Sequence, residues 1–143
     1  MSALFDSGRQ AFLEGGIAYL ADTIKIMLID AAIYDPDPAV DVFFDDITST
    51  ARIGNSSGNA RADMPTLGGK TSTDGVADAS DVTFTTVAAG AALASLVIFR
   101  DSGADATSEL IAKIDSGTGL PVTPNGGDIT VAFDNGANRI FKL

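Results

Sequence analysis

Carboxylates are the only plentiful reactive side chains in this sequence. Aspartate and glutamate number 19, against nine lysines and arginines, with no histidine and no cysteine in 143 residues. Carboxylate oxygens could chelate calcium, and two places invite that reading. The stretch 30–46 carries Asp30, Asp35, Asp37, Asp41, Asp45 and Asp46 with no Lys or Arg, and Asp101 and Asp105 flank Ser102 and Gly103. Neither matches the ligand spacing of an EF-hand loop, and Pro36 and Pro38 break any regular ligand period. A solvated acidic loop is the expectation, with calcium at 30–46 left open. Paired carboxylates could also cleave a glycosidic bond. Only Glu14 and Glu109 are glutamates, neither in a recognisable setting, and a chain with no Trp and two Tyr offers a thin platform for stacking a sugar. Gly68-Gly69-Lys70-Thr71 looks like the end of a phosphate-binding loop, but the first glycine of that motif is missing. A hairpin turn is expected there instead.

What is missing excludes more than what is present suggests. Without His there is no imidazole base, and without Cys no thiolate nucleophile or zinc site. Every Ser-His-Asp or Cys-His-Asn arrangement is ruled out. The expectation is a protein that is not an enzyme, with no catalytic residue, no bound metal and no cofactor. A formal charge of −10 argues against nucleic acid and against an anionic membrane as partners. The first residues lack the basic and apolar regions of a signal peptide, and the apolar runs are too short to cross a bilayer. A soluble protein made in a cytoplasm is expected.

The elements that would carry these residues are mostly strands. Length and composition predict one domain over 1–143, with an N-terminal helical segment at 1–22 and a β core at 23–143. Ser7-Gly8-Arg9-Gln10 fits a capping box, with Ser7 as N-cap and Gln10 reaching back. Phe12, Leu13, Ile17 and Leu20 continue as an apolar stripe, interrupted by Gly15-Gly16, which either end the helix or begin a second short turn to Asp22. Ile24 to Ile29 reads as a strand buried on both faces. The acidic stretch 30–46 follows as a long connection, with one helical turn near Val42-Phe43-Phe44 whose aromatic pair pins it to the core. Residues 54–75 read as a long surface loop with an edge strand at 70–73.

The second half alternates strand and turn. Strands are expected at 81–87, 93–99, 110–114, 129–133 and 139–143. Turns are expected at Asp101–Asp105, at 117–119, at Pro124–Gly127 and, as a hairpin, at Asp134-Asn135-Gly136. The predicted fold class is mainly β: an antiparallel β-sandwich or jelly-roll-like domain with a short N-terminal helix. Its core should include Ile24, Ile26, Leu28, Phe84, Leu96, Ile98, Ile114, Ile129, Val131 and Phe133.

Fully apolar strands in so small a domain mean either core or an oligomer interface. The candidate partner-binding residues are Leu4, Phe5, Arg9, Phe12 and Leu13. They form an amphipathic segment that either clamps a neighbouring chain or caps this domain's own core.

Several segments together are similar, in order and spacing, to a family of small virion proteins from tailed bacteriophages. They are Ser7–Gly15, Asp22–Asp30, Phe43–Ile47, Gly69–Thr71, Gly75–Phe84, Leu96–Gly103 and Gly119–Val131, the last resembling the family most. The resemblance implies a non-enzymatic structural protein located in the virion and assembled in the host cytoplasm. Members look like capsid decoration (cement) proteins or small tail-associated proteins. The partners implied for a decoration protein are the major capsid protein and copies of itself. A tail-tube subunit, or a host-surface glycan-binding module, is the alternative expectation.

Overall fold

The apolar run at 24–29 folds into a strand, and what covers its two faces sets the architecture. A computed structural model describes residues 3–115 and 119–143. In chain order the regular elements are β1 (Ala3–Leu4), α1 (Asp6–Leu13), β2 (Ile24–Ile29), β3 (Arg52–Ile53), β4 (Thr71–Thr73), β5 (Val76–Asp78), β6 (Val82–Phe84), β7 (Ser95–Arg100), β8 (Leu110–Ile114), β9 (Ile129–Val131) and β10 (Phe141–Lys142). The fold is mainly β and antiparallel, with one short α-helix, as the sequence predicts. A five-stranded sheet in the order β1-β8-β7-β2-β3 is accompanied by a three-stranded sheet, β10-β5-β4, and a two-stranded ribbon, β6-β9.

Period-two alternation sends successive side chains of β2 and β7 to opposite faces of the five-stranded sheet. Ile24, Ile26 and Leu28 join Leu96 and Ile98 in one cluster, covered by Val82, Phe84, Ile129, Val131 and Phe141 from the smaller sheets. Met27, Ile29, Val97 and Phe99 form the other cluster, covered by Phe5, Phe44, Ile47, Ala51 and Met64. Both faces are therefore dry, which is why these strands are apolar without alternation. All ten expected core residues are buried. Between β7 and β8 the register shifts: Ile98 faces Ala112 and Phe99 faces Leu110. The extra residue, Ile111, belongs to the first cluster and Leu110 to the second. This bulge lets β8 feed both cores.

The second face has no sheet over it. The acidic connection and the start of the 54–75 loop supply the cover through short 3-10 turns at Phe44–Asp46, Ser49–Ala51 and Arg61–Asp63. Phe44 is fully buried against Phe99, ring centroids 4.9 Å apart. The connection is stitched to the sheet by its backbone: the Phe44 amide donates to Ser108 O and the Leu110 amide to Val42 O, each at 2.9 Å. The anchoring role expected for the aromatic pair falls to Phe44, while Phe43 stays half-buried.

Three local expectations are corrected. The helix has no capping box. Its N-cap is Phe5, without a side-chain cap bond, because β1 pairs with β8 and delivers Phe5 in extended geometry. Ser7 Oγ is buried without a hydrogen-bond partner among the described residues, and Gln10 donates to Glu14 at 2.9 Å. At the other end Gly15 adopts φ +76°, and the Gly16 and Gly15 amides donate to Ala11 O and Phe12 O, a Schellman termination. The second correction concerns the hairpins. Asp134-Asn135-Gly136 does not join paired strands, since β9 pairs with β6 and β10 with β5. Third, the turn joining β4 to β5 is Asp74-Gly75, at φ +54° and +78°, not Gly68-Gly69. Both residues occupy the left-handed region that a two-residue hairpin of this hand requires. The turn expected at 117–119 lies mostly outside the described residues.

Opposite-face substitutions test the two-sided core. Ile98→Asp buries an unpaired carboxylate under the small sheets and should abolish cooperative folding. Phe44→Ala should lower stability by about 3–5 kcal/mol in denaturant unfolding, although residue 44 lies in a connection. A Phe44→Ala protein as stable as the parent would contradict the buried second face.

Candidate functional site

Most of the carboxylates that invited catalysis or metal binding are engaged in hydrogen bonds or ion pairs. Asp101 and Asp105 hold Arg61: its Nη1 meets Asp101 at 2.5 Å, its Nε meets Asp105 at 2.9 Å, and its Nη2 donates to Gly103 O at 2.8 Å. Lys25 adds a second cation to Asp101 at 3.3 Å and donates to Arg61 O. Burial opposes ionisation of Asp101, but the Gly103 amide, Arg61 and Lys25 outweigh it and hold the carboxyl below its ordinary range. In the connection, Asp41 accepts from Tyr34 Oη and the Asp37 amide, Asp46 from the Val42 and Phe43 amides, and Asp30 from the Ala32 amide. These are turn-closing bonds that replace regular backbone pairing. The bond to Asp41, then burial and the neighbouring carboxylates, push the Tyr34 phenol up to about 12. Among the described residues no three His, Cys, Asp or Glu side chains are grouped to hold a metal ion.

The other candidates are equally engaged. Glu109 pairs with Arg100 at 2.8 Å, and Glu14 accepts from Gln10. Lys70 donates to the Asp22 carbonyl and leads into β4 rather than a helix, so the phosphate-loop geometry is absent.

The candidate partner-binding residues divide. Phe5 is fully buried in the second cluster, and its amide donates to Ile111 O at 2.9 Å. Leu4 pairs with Ala112 and packs half-buried on the first cluster. Phe5 caps the domain's own core and is not free to clamp a neighbour, while Leu4 is shared between that core and the groove. Gly8 lets α1 sit on β8, because a Cβ there would lie 2.6 Å from Leu110 O. Arg9 and Leu13 point the other way: both are exposed, Leu13 by 89%. Phe12 lies between, half-buried and 5.8 Å from the Phe141 ring.

The exposed pair lines a groove. Leu4, Arg9, Phe12, Leu13, Lys142 and Leu143 enclose about 440 Å³ of mainly apolar space. On the far side of Phe12 and Leu143 a second depression, about 390 Å³, is lined by Tyr19, Leu20 and Phe141. Leu13, Leu20 and Leu143 are three of the five large apolar side chains left exposed among the described residues. The groove's charge is also distinctive. Of nine cations, Lys25, Arg61, Arg100, Lys113 and Arg139 pair with carboxylates. Arg52 lies 4.1 Å over the Phe44 ring, and Lys70 is bonded to Asp22 O. Among the described cations only the side chains of Arg9 and Lys142 have neither an ion pair nor a hydrogen bond, and both flank this groove. The sequence marked Arg9 and Leu13 but missed Lys142 and Leu143, which read as an ordinary last strand. An unpaired lysine between apolar residues was the available signal.

Two measurements check this division. Deleting residues 1–13 should lower the melting temperature by many degrees, because it removes β1 and Phe5, whereas Leu13→Asp should leave it within experimental error. Asp101 should also shape the acid limb. A carboxyl held low when folded stabilises fully above its unfolded pKa near 4, and that stabilisation is lost as pH falls through the lower folded value. Asp101→Asn should flatten the stability profile in that window, and an unchanged profile would contradict the network. Against family models, curated proteins and solved structures alike the chain finds no match, so its own surface is the guide to what it does.

Proposed function

We propose that this protein is a non-enzymatic structural component of a bacteriophage virion, a capsid decoration protein that binds the outside of the assembled head and stabilises it. The observation that carries the reading is the groove. The two cations without partners among the described residues and three exposed leucines converge on one part of the surface, while the acids that suggested chemistry are committed to turns and ion pairs. That is the surface of a protein that works by docking. The partners are the major capsid protein and further copies of this chain, without nucleic acid or membrane. A charge of −10 suits a position outside the shell, away from packaged DNA.

The alternatives receive less support. A glycan-binding module needs accessible rings, yet all eight Phe and both Tyr are buried or half-buried. A tail-tube subunit would use 54–75 as a free hairpin. That segment instead packs on the core through Met64 and Leu67, 2% and 3% exposed, and the Leu67 amide donates to Ile24 O.

The test is add-back. Virions assembled without the protein should bind it stoichiometrically on their heads and then resist heat disruption at higher temperature. Protein that labels isolated tails and leaves heads bare would overturn the decoration reading. Protein absent from purified particles would overturn the virion reading altogether.

A further inference from the structure

The groove and the acidic connection pack on different core clusters and meet at the start of α1, where the Asp6 amide donates to Pro38 O at 2.9 Å. Leu4 and Phe12, which line the groove, pack on the first cluster, while Phe44, Ile47 and Tyr34 of the connection belong to the second. The connection is the groove's chemical complement. It carries six aspartates and no cation between residues 30 and 46. It also displays the remaining two exposed large apolar side chains, Ile33 at 51% and Val40 at 69%. Asp35, Asp37 and Asp45 of the connection are exposed as well, Asp35 in its pair with Lys113. The groove offers Leu13 and Leu143 beside Arg9 and Lys142, whose side chains have no ion pair or hydrogen bond among the described residues.

We propose that copies of this chain associate head to tail, the Ile33–Val40 surface of one copy seating in the Arg9–Leu13–Lys142–Leu143 groove of the next. The occupant is a second copy because this chain itself carries an anionic surface with two exposed apolar side chains, the complement of the groove's two cations and exposed leucines. Among the described residues none of 30–46 lines the groove of its own copy, although the connection is bonded to the start of α1. The contact is heterologous, and each added copy presents a fresh half to the next, giving a ring or a chain. The connection arrives ordered: the Tyr34–Asp41 bond at 2.7 Å, the Asp37 amide bond to Asp41 at 2.8 Å and the Lys113–Asp35 pair at 2.5 Å hold it in shape. Little ordering cost then opposes association. The partly exposed charge pairs make it sensitive to salt. The inference rests on the groove's being a docking surface, not on the identity of any shell.

Sedimentation velocity of the full chain across a wide concentration range tests it, with two variants. The groove variant is Arg9→Glu with Lys142→Glu. The connection variant is Ile33→Lys with Val40→Lys. All four positions are exposed, and thermal melts confirm that both variants fold. The parent should form oligomers larger than a dimer that weaken as salt rises. Each variant alone should lose them and sediment as a monomer. An equimolar mixture should regain association, because the intact connection of the groove variant fits the intact groove of the connection variant. A parent that stays monomeric, variants that associate like the parent, or a mixture that stays monomeric would each overturn the proposal. Add-back to heads separates this from the functional reading. A monomeric parent that still decorates heads overturns only the head-to-tail contact. Oligomers that ignore heads overturn only the decoration role.

Discussion

The structure depends on drying both faces of a sheet whose central strands carry no polar face. Burying Met27, Ile29, Val97 and Phe99 on the side away from the small sheets requires a cover, and the chain supplies one from segments without sheet structure. Irregular backbone can serve there only if its amides and carbonyls find partners. The aspartates of 30–46 provide many of them, accepting from Ala32, Asp37, Ala39, Val42 and Phe43 amides. The acidity is thus structural in origin. An acidic stretch that looks like solvated linker is a layer of the domain, pinned by Phe44 and Ile47.

The same network engages most of the carboxylates that suggested chemistry. A carboxylate that closes a turn or holds a guanidinium has part of its accepting capacity already in use. Arg61 shows the point most clearly. It reaches from the 54–75 loop to both acids of 101–105, tying that loop to the β7–β8 connection, with Lys25 of β2 beside it. Among the described residues, what remains outside these networks is the exposed surface of Arg9 and Lys142 beside Leu13 and Leu143. Both the decoration reading and the head-to-tail contact start from that surface.

How much of this the sequence discloses follows from the range of the interaction that sets each feature. The strand at 24–29 and the core residues depend on local pattern and read correctly, while at Gly15-Gly16 the structure ends the helix, one of the two outcomes the sequence left open. The capping box failed because the helix start is imposed by β1 pairing with β8, more than 100 positions away in sequence. The hairpin at Asp134-Asn135-Gly136 failed for a related reason. Turn residues report a reversal of the chain, but not which strands will pair across it. At the candidate site the sequence presented Leu4, Phe5, Arg9, Phe12 and Leu13 as one amphipathic unit. A strand followed at once by a helix separates them, turning Phe5 into one core, Leu4 onto the other, and Arg9 and Leu13 outward. Lys142 and Leu143 join that surface only through tertiary packing.

The central claim is that the acidic connection is an integral, ordered layer of the fold. Amide hydrogen exchange measures this most directly. The amides of Asp30, Phe44 and Leu110 donate to Ala51 O, Ser108 O and Val42 O, each at 2.9 Å, and join the connection to the rest of the molecule. They should exchange as slowly as the amides pairing β2 with β7, near the limit set by global unfolding. Exchange of the Asp30 and Phe44 amides at the rate of an open loop, while β2 and β7 stay protected, would contradict the account.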